Sequence, residues 1–256
     1  MTNHSSAIIH PDSHLAKDVE VGPYSIIGPG VQIGEGTKIG PHALIEADTV
    51  IGKNCYISHG ASIGGEPQIL NFKNVPAAVA IGDNTVIREY VTIHRSGFEN
   101  GVTRVGKGCL LMAYSHLGHD CDIGDDVVIA NSAALSGHVI VEGKVFISGL
   151  VGIHQFVRIG RHAMVAALAG VNKDVLPFST VEGNRARLLS VNTVGLKRAN
   201  FKPDVRVAIK KAFKFIAQPE LNTKQALEKI ETEIEMFGEI HYLMDFIKNS
   251  SRGVTK

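Results

Sequence analysis

The stretch AYSHLGHDCDIG, residues 113 to 124, holds two histidines three residues apart, and an aspartate directly follows the second. A neutral imidazole, whose ordinary pKa is about 6.5, can accept a proton from a hydroxyl group near pH 7. An adjacent carboxylate fixes the tautomer of the ring and stabilises the imidazolium ion. His119 with Asp120 would therefore suit a general base for acyl transfer, with His116 close by.

The residue types leave two other interpretations open. Histidine nitrogens also bind zinc, and a zinc ion held by three of them activates water. His116, His119 and one later histidine would suffice for such a site. A scaffold whose surface histidines have no chemical role is the third interpretation. Further histidines are available at His94, His138, His154 and His162.

A six-residue period governs the elements that must position these residues. An aliphatic residue recurs every six positions from Ile9 to Val171, with two gaps that are themselves multiples of six. The period fits neither an α-helix nor an alternating strand. It is typical of a parallel β-helix, in which each hexapeptide forms one face of a triangular coil. Such coils stack about 4.8 Å apart and bond to the coils above and below.

The repeat also predicts which side chains point inward. A small residue stands four positions after each aliphatic residue, and both positions should face the core. Glycine often follows the aliphatic residue, as at Gly22 and Gly34, and we expect it to supply corner conformations that a β-carbon would oppose. The histidines avoid both inward positions. The cysteines occupy the small inward position and are predicted to be buried free thiols: Cys55, Cys109 and Cys121.

Two segments interrupt the repeat, and a different period follows it. Residues 64–80 and 94–104 are predicted to be external loops, which often carry function. From about Pro203 the apolar period becomes helical, with a second helix capped near Asn222 and a third from Glu239 to about Asn249. We therefore divide the chain into a β-helix, 1–190, and a helical domain, 191–256. The second part carries a basic face: Lys197, Arg198, Lys202, Arg206, Lys210, Lys211 and Lys214.

Composition excludes several classes of function. The net charge of +1 gives no field that would attract nucleic acid or an anionic membrane. No apolar run is long enough to span a bilayer, and the start of the sequence does not have the pattern of a signal peptide. An odd number of cysteines argues against a disulfide framework. These features predict a cytoplasmic protein without stable membrane insertion.

Five segments closely resemble the UDP-N-acetylglucosamine O-acyltransferase family, which takes the first step of lipid A biosynthesis. They are IREYVTIHR (87–95), AYSHLGHDC (113–121), LSGHV (135–139), GIHQF (152–156) and VNTVGLKRANF (191–201). The resemblance implies a left-handed β-helix, whereas the usual crossover preference would predict a right-handed one. It also implies a homotrimer, no metal and no bound cofactor. The acyl donor would be a 3-hydroxyacyl chain on the phosphopantetheine of acyl carrier protein, an acidic partner suited to the basic face.

The resemblance further implies a role for each site residue. His119 would be the catalytic base, Asp120 its partner, and the Gly137 N–H the oxyanion donor. Ala167 matches the residue that limits the length of the acyl groove. The positions that match substrate-binding residues are Gln68, Leu70, His94, His116, His138, His154, Gln155, Asn192 and Arg198.

Three positions depart from the better-known pattern of the family. Ile69 and Asn71 replace an acid and a lysine, and Val194 stands where some members have a glutamate. These changes weaken polar contacts to the acceptor, so a 3-hydroxyl and a 3-amine both remain possible as the reacting group. Other hexapeptide-repeat enzymes are the alternatives: a sugar acyltransferase with a different donor, or a zinc-dependent hydratase similar to carbonic anhydrase.

Overall fold

A computed structural model of the chain describes residues 2–46 and 48–256. Three sheets form the faces of a triangular prism, and all their strands run parallel except Arg187–Val191, which pairs antiparallel with Ser179–Glu182. In the regular coils each strand pairs with the strand eighteen residues on, as Ile8 with Ile26 and Ile26 with Leu44. The two insertions lengthen this spacing, as from Tyr56 to Val86 and from Val86 to Leu110. The strands of the first sheet are Thr2–Asn3, Glu20–Val21, Lys38–Ile39, Tyr56–Ile57, Val86–Ile87, Leu110–Leu111, Val128–Ile129, Phe146–Ile147, Met164–Val165, Ser179–Glu182 and Arg187–Val191.

The other two sheets complete each coil. The second contains Ile8–Ile9, Ile26–Ile27, Leu44–Ile45, Ser62–Gly65, Thr92–His94, His116–Leu117, Ala134–Leu135, Gly152–Ile153 and Gly170–Val171. The third contains His14–Leu15, Gln32–Ile33, Thr49–Ile51, Ala78–Ile81, Val102–Val105, Asp122–Ile123, Ile140–Val141 and Arg158–Ile159. The predicted β-helix is therefore confirmed.

The core runs along the prism axis, as the six-residue period predicts. The periodic aliphatic residues are buried from Val21 to Val171, and only the first two, Ile9 and Leu15, are partly open at the end of the helix. The three cysteines occupy the inward small positions and are free and buried. Burial raises the pKa of the Cys109 thiol to about 11 and that of Cys121 to about 12, which leaves both as inert thiols.

The predicted role of glycine at the corners is wrong. The left-handed backbone conformation falls three residues after each aliphatic residue and is mostly filled by non-glycine residues, including Asp120 (φ 60°) and His138 (φ 61°). Among the described glycines directly after the aliphatic residues, only Gly64, at the start of the first loop, has a positive φ. The others are required by close stacking instead, since a β-carbon on Gly22 would lie 2.8 Å from the backbone of Gly40 in the next coil.

The helix is left-handed, as the resemblance implied and contrary to the crossover preference. That preference arises because a twisted strand feeds a crossover that must pack back onto its own sheet. Here most strands contain only two residues, so they accumulate little twist and the preference loses its cause.

Both predicted loops leave the prism at the corner between the second and third sheets. Strands extend into each of them, to Gly65 and from Ala78 in the first, and to His94 and from Val102 in the second. The connecting segments are therefore 66–77 and 95–101. They stand one coil apart at the same corner, so the two loops are neighbours.

Four helices follow the coils: α1 Thr193–Arg198, α2 Pro203–Ile216, α3 Thr223–Glu233 and α4 Gly238–Lys248. The first was not predicted. The predicted capping of α3 is confirmed, because Asn222 and Gln225 form a reciprocal capping box. The helices attach to the last coils through Tyr242, whose hydroxyl donates to Glu142 and whose ring lies 3.9 Å from the Arg161 guanidinium.

Candidate active site

One edge of the prism, which we call the histidine edge, gathers most of the predicted residues. It consists of the turns 118–121, 136–139 and 154–157, where three successive coils pass from the second sheet to the third. Backbone hydrogen bonds join the turns: the His138 N–H donates to His119 O over 2.9 Å, and the Phe156 N–H to Gly137 O over 3.2 Å. The rigid coils therefore fix the spacing of the side chains along this edge.

His119 and Asp120 form the predicted pair. His119 Nδ1 lies 2.7 Å from Asp120 Oδ2, and both side chains are largely buried. The carboxylate can only accept when it is ionised, so Nδ1 carries the proton and Nε2 remains as the acceptor. The imidazole thus presents the nitrogen that a general base uses.

The loop 95–101 holds the other side of the Asp120 carboxylate. Ser96 Oγ donates to Oδ1, and the Gly97 N–H donates to Oδ2 over 3.1 Å. Burial alone would raise the pKa of the Asp120 carboxyl, but the hydrogen bonds from Ser96, His119 and Gly97 together hold it below its ordinary value. Asp120 is therefore ionised at neutral pH.

Gly137 packs directly against the imidazole of His119. A β-carbon at this position would lie 2.5 Å from His119 Nε2, closer than any side chain could approach. The Gly137 N–H has no acceptor within residues 2–46 and 48–256. The same repeat position is occupied by proline at Pro23, Pro29 and Pro41, in keeping with a coil geometry that leaves this N–H unpaired.

His138 packs against the pair formed by His119 and Asp120. Its Nε2 lies 3.8 Å from Asp120 Oδ2, its ring meets that of His119 edge to face, and Phe156 stacks on its other side at 4.5 Å between centroids. Burial lowers the pKa of His138, an effect that Asp120 opposes and His119 reinforces. Because His138 is neutral, it does not compete with His119 for the negative charge of the Asp120 carboxylate.

His94 and His116 lie together on the adjoining face, beside the base. Their rings meet edge to face at 4.9 Å, and His116 Nδ1 lies 2.8 Å from Thr92 Oγ1. Burial, reinforced by His116, His119 and Arg95, lowers the pKa of His94 to about 4, and burial also lowers that of His116. Both rings are neutral near pH 7, and His94 Nδ1 has no hydrogen-bond partner in the described part of the chain.

The remaining predicted residues do not all reach this edge within one chain. His154 and Gln155 lie exposed in its last turn, and Gln68 and Leu70 are exposed on the neighbouring loop 66–77. Ala167 lies in the turn from the first sheet to the second, on another edge.

Asn192 and Arg198 belong to a third region, at α1. Asn192 caps that helix, since its Oδ1 accepts from the Gly195 N–H over 3.0 Å and its Nδ2 donates to His162 O over 2.9 Å. Half of its hydrogen-bonding capacity is thus used within the chain.

A metal could find ligands at the base itself. Ligand atoms of His119, Asp120 and His138 lie within 4.8 Å of one another. This trio differs from the set considered from sequence, since His116 is not part of it. Binding a metal through His119 Nδ1 would require removal of the proton that now bonds Asp120.

Sequence reasoning missed three residues that hold Asp120. They are Ser96 and Gly97 in the second loop, and Thr103, whose Oγ1 accepts from the Asp120 N–H over 2.8 Å. Ser96 stands three residues after Ile93, as Asp120 stands three residues after Leu117, and Ile93 pairs with Leu117. The chain leaves the coil after His94, however, so the repeat does not place the Ser96 side chain. The shared offset and the departure of the loop just below residue 120 were the available signals.

Two family models match the chain. Residues 174–255 match domain 2 of the UDP-N-acetylglucosamine O-acyltransferases, and residues 4–34, 30–65 and 103–137 match the bacterial transferase hexapeptide. The acyl-[acyl-carrier-protein]–UDP-N-acetylglucosamine O-acyltransferase of Thermodesulfovibrio yellowstonii is 45% identical over 254 residues, 99% of this chain and 98% of that protein. The protein of the same name from Herminiimonas arsenicoxydans is 42% identical over 258 residues, with the same coverage.

Solved structures agree with this assignment. The UDP-N-acetylglucosamine acyltransferase of Bacteroides fragilis superposes with a TM-score of 0.97 at 37% identity, covering 99% of both chains. The enzyme of Francisella novicida gives a TM-score of 0.94 at 38% identity, covering 99% of this chain and 93% of that one. In the described part of this chain, no helix has the length and apolar character needed to cross a bilayer.

The β-helix and the paired histidine and aspartate define an acyltransferase of the hexapeptide-repeat class. Coverage of nearly the whole chain at more than 40% identity then defines the family. This chain belongs to the UDP-N-acetylglucosamine O-acyltransferases.

Proposed function

We propose that this protein transfers a 3-hydroxyacyl chain from acyl carrier protein to the 3-position of UDP-N-acetylglucosamine, or of its 3-amino analogue, in the first step of lipid A biosynthesis. The observation that carries the proposal is the His119–Asp120 pair at 2.7 Å, with the unpaired Gly137 N–H beside the free imidazole nitrogen. Membership of the family supplies the substrate classes.

The reaction begins with removal of a proton from the acceptor. His119 Nε2 takes the proton of the sugar 3-hydroxyl as its oxygen attacks the thioester carbonyl carbon. The imidazolium that forms has Asp120 2.7 Å from its other nitrogen, and the ionised carboxylate stabilises it. Asp120 therefore acts through His119 as a positioning and charge-balancing residue.

The Gly137 N–H stabilises the negative charge that develops on the carbonyl oxygen. The carbon–sulfur bond then breaks, and the phosphopantetheine thiolate takes the proton from His119. The acyl chain is left on the sugar oxygen, the base is restored, and no cofactor beyond the donor's own phosphopantetheine arm is consumed.

The other predicted residues would surround the substrates. His94, His116, His138, His154, Gln155, Gln68 and Leu70 would contact sugar, diphosphate or pantetheine. Asn192, Arg198 and Ala167 lie away from the histidine edge, so they can serve the same substrate only from a neighbouring subunit of a homotrimer. The basic face of α1 and α2 suits the acidic carrier protein in the cytoplasm.

Mass spectrometry of the products tests the proposal. The chain is incubated with acyl carrier proteins that bear 3-hydroxyacyl chains of different lengths, and with the 3-hydroxyl and 3-amino forms of the nucleotide sugar. We expect one acyl group per sugar at position 3, with the same rate after dialysis against a chelator. No acylated sugar from any donor, together with zinc bound at one ion per subunit, would favour the hydratase alternative.

A further inference from the structure

Ser96 is fully buried, and its hydroxyl takes part in two hydrogen bonds. Its Oγ donates to Asp120 Oδ1 and accepts the Phe98 N–H over 3.0 Å. The hydroxyl therefore joins the backbone of loop 95–101 to the carboxylate that supports the base. No other side-chain hydroxyl in the described residues contacts that carboxylate.

The same turn contacts the carboxylate a second time. The Gly97 N–H donates to Asp120 Oδ2, the oxygen that also accepts from His119. Two donors from adjacent residues thus hold both oxygens and fix the plane of the carboxylate. The coil positions the backbone of Asp120, and the loop sets the rotation of its carboxylate and so the direction of Oδ2 toward His119 Nδ1.

Arg95, the residue before Ser96, fixes this turn to the other loop. Its guanidinium donates to Asn74 Oδ1 over 2.8 Å and to Gly64 O over 3.2 Å, and it lies 3.6 Å from Glu66. Glu66 and Asn74 belong to loop 66–77 and Gly64 lies just before it, and this loop carries the predicted substrate-binding residues Gln68 and Leu70. The turn at Ser96 is therefore held by Asp120 of the coil on one side and by the first loop on the other.

We propose that Ser96 is a positioning residue for the acyl transfer: it orients the Asp120 carboxylate so that the His119 imidazole is held as the base, and it anchors that function to loop 95–101. The inference rests on the proposed function, because it assigns His119 the role of base. It extends the pair of His119 and Asp120 to a chain of three side chains that spans an insertion and a coil.

Ser96→Ala removes the hydroxyl, and Thr103→Val is the matched control. Both hydroxyls are fully buried and both contact Asp120, but Thr103 contacts its backbone N–H and Ser96 its carboxylate. A merely structural role would be disturbed by either change. The titration of the carboxylate should change only with the loss of Ser96, because Thr103 bonds the backbone of Asp120 and not its carboxylate.

Kinetics over a range of pH separate the two variants. We expect Ser96→Ala to lower kcat roughly tenfold, the effect of losing one hydrogen bond to a charged group, with the KM of each substrate within about twofold of wild type. Without this donor the carboxylate holds the proton on the imidazole more strongly, so the acid limb of the kcat/KM profile moves to higher pH. Thr103→Val should lose thermal stability while its acid limb stays in place.

A titration independent of turnover distinguishes failure of this inference from failure of the proposed function. Carbon NMR of the Asp120 carboxyl should show a higher titration midpoint in Ser96→Ala than in wild type or Thr103→Val, whatever the reaction catalysed. An unchanged midpoint, or a kcat and acid limb equal to those of wild type, would overturn the role of Ser96. An inactive wild type with the expected midpoints would instead remove only the acyl-transfer assignment.

Discussion

Replacing Gly137 with alanine would place a methyl group against the imidazole of His119. The added carbon would lie 2.5 Å from Nε2 and 2.6 Å from Cε1. A methyl carbon and a ring atom attract each other only at separations of about 3.5 Å or more, so the imidazole ring must move away by about 1 Å. That movement would break the 2.7 Å hydrogen bond to Asp120, since loop 95–101 prevents the carboxylate from following.

The expected loss of activity follows from this displacement. A misplacement of about 1 Å at a reacting group costs on the order of 10²-fold in rate, or about 2.7 kcal/mol of activation free energy. Alanine keeps its N–H, so the oxyanion donor itself is retained. We therefore expect kcat for acyl transfer to fall by about 10²-fold in Gly137→Ala, measured by quantifying the acylated nucleotide sugar.

Gly143→Ala is the control for the addition of a methyl group at a corner. Gly143 occupies the same repeat position on another edge, and its added carbon would meet only the Asp125 carbonyl oxygen at 3.2 Å and the Asp125 nitrogen at 3.9 Å. This variant should retain most of its activity. If Gly137→Ala turned over within about threefold of wild type, His119 could not be the base in the position that the structure gives it.

Three further predictions concern the donor, the acyl chain and pH. Charge reversal at Lys210, Lys211 and Lys214 should raise the KM for acyl carrier protein at low salt, an effect that shrinks as screening increases, whereas equal donor kinetics would contradict a docking role. Ala167→Gly should favour longer acyl chains by roughly fourfold per carbon, since each buried methylene contributes about 0.8 kcal/mol, and unchanged ratios in a competition assay would place the limit elsewhere. Burial lowers the pKa of His162 to about 4, so the melting temperature should fall as pH drops from about 6.5 toward 4, and it should fall less in His162→Gln.

The sequence predicts the parts of the molecule that repeat. Ile9 to Val171 follow one period, so the coils, the buried cysteines and the outward histidines could all be derived from it. The histidine edge also follows, because Gly137 and Gln155 stand eighteen and thirty-six residues after His119 and must therefore share a corner.

The features that could not be derived depend on contacts between coils or on insertions. Glycine after the aliphatic residue was assigned to a special φ, but Gly22 is required by the backbone of Gly40, which no local pattern reveals. The short helix α1 is set by the Asn192 cap and its bond to His162 O, a contact between residues thirty apart. Ser96 escaped prediction because the chain leaves the coil after His94, so the repeat no longer determines where its side chain lies.

The rate of acyl transfer by His119→Ala is the most direct test of the central claim, that this imidazole is the base. The side chain points away from the core of the coil, so the variant should fold and melt like wild type. We predict a kcat roughly 10²- to 10⁴-fold lower than that of wild type, with the acylated nucleotide sugar still the product. A folded His119→Ala protein with near wild-type turnover would contradict the account.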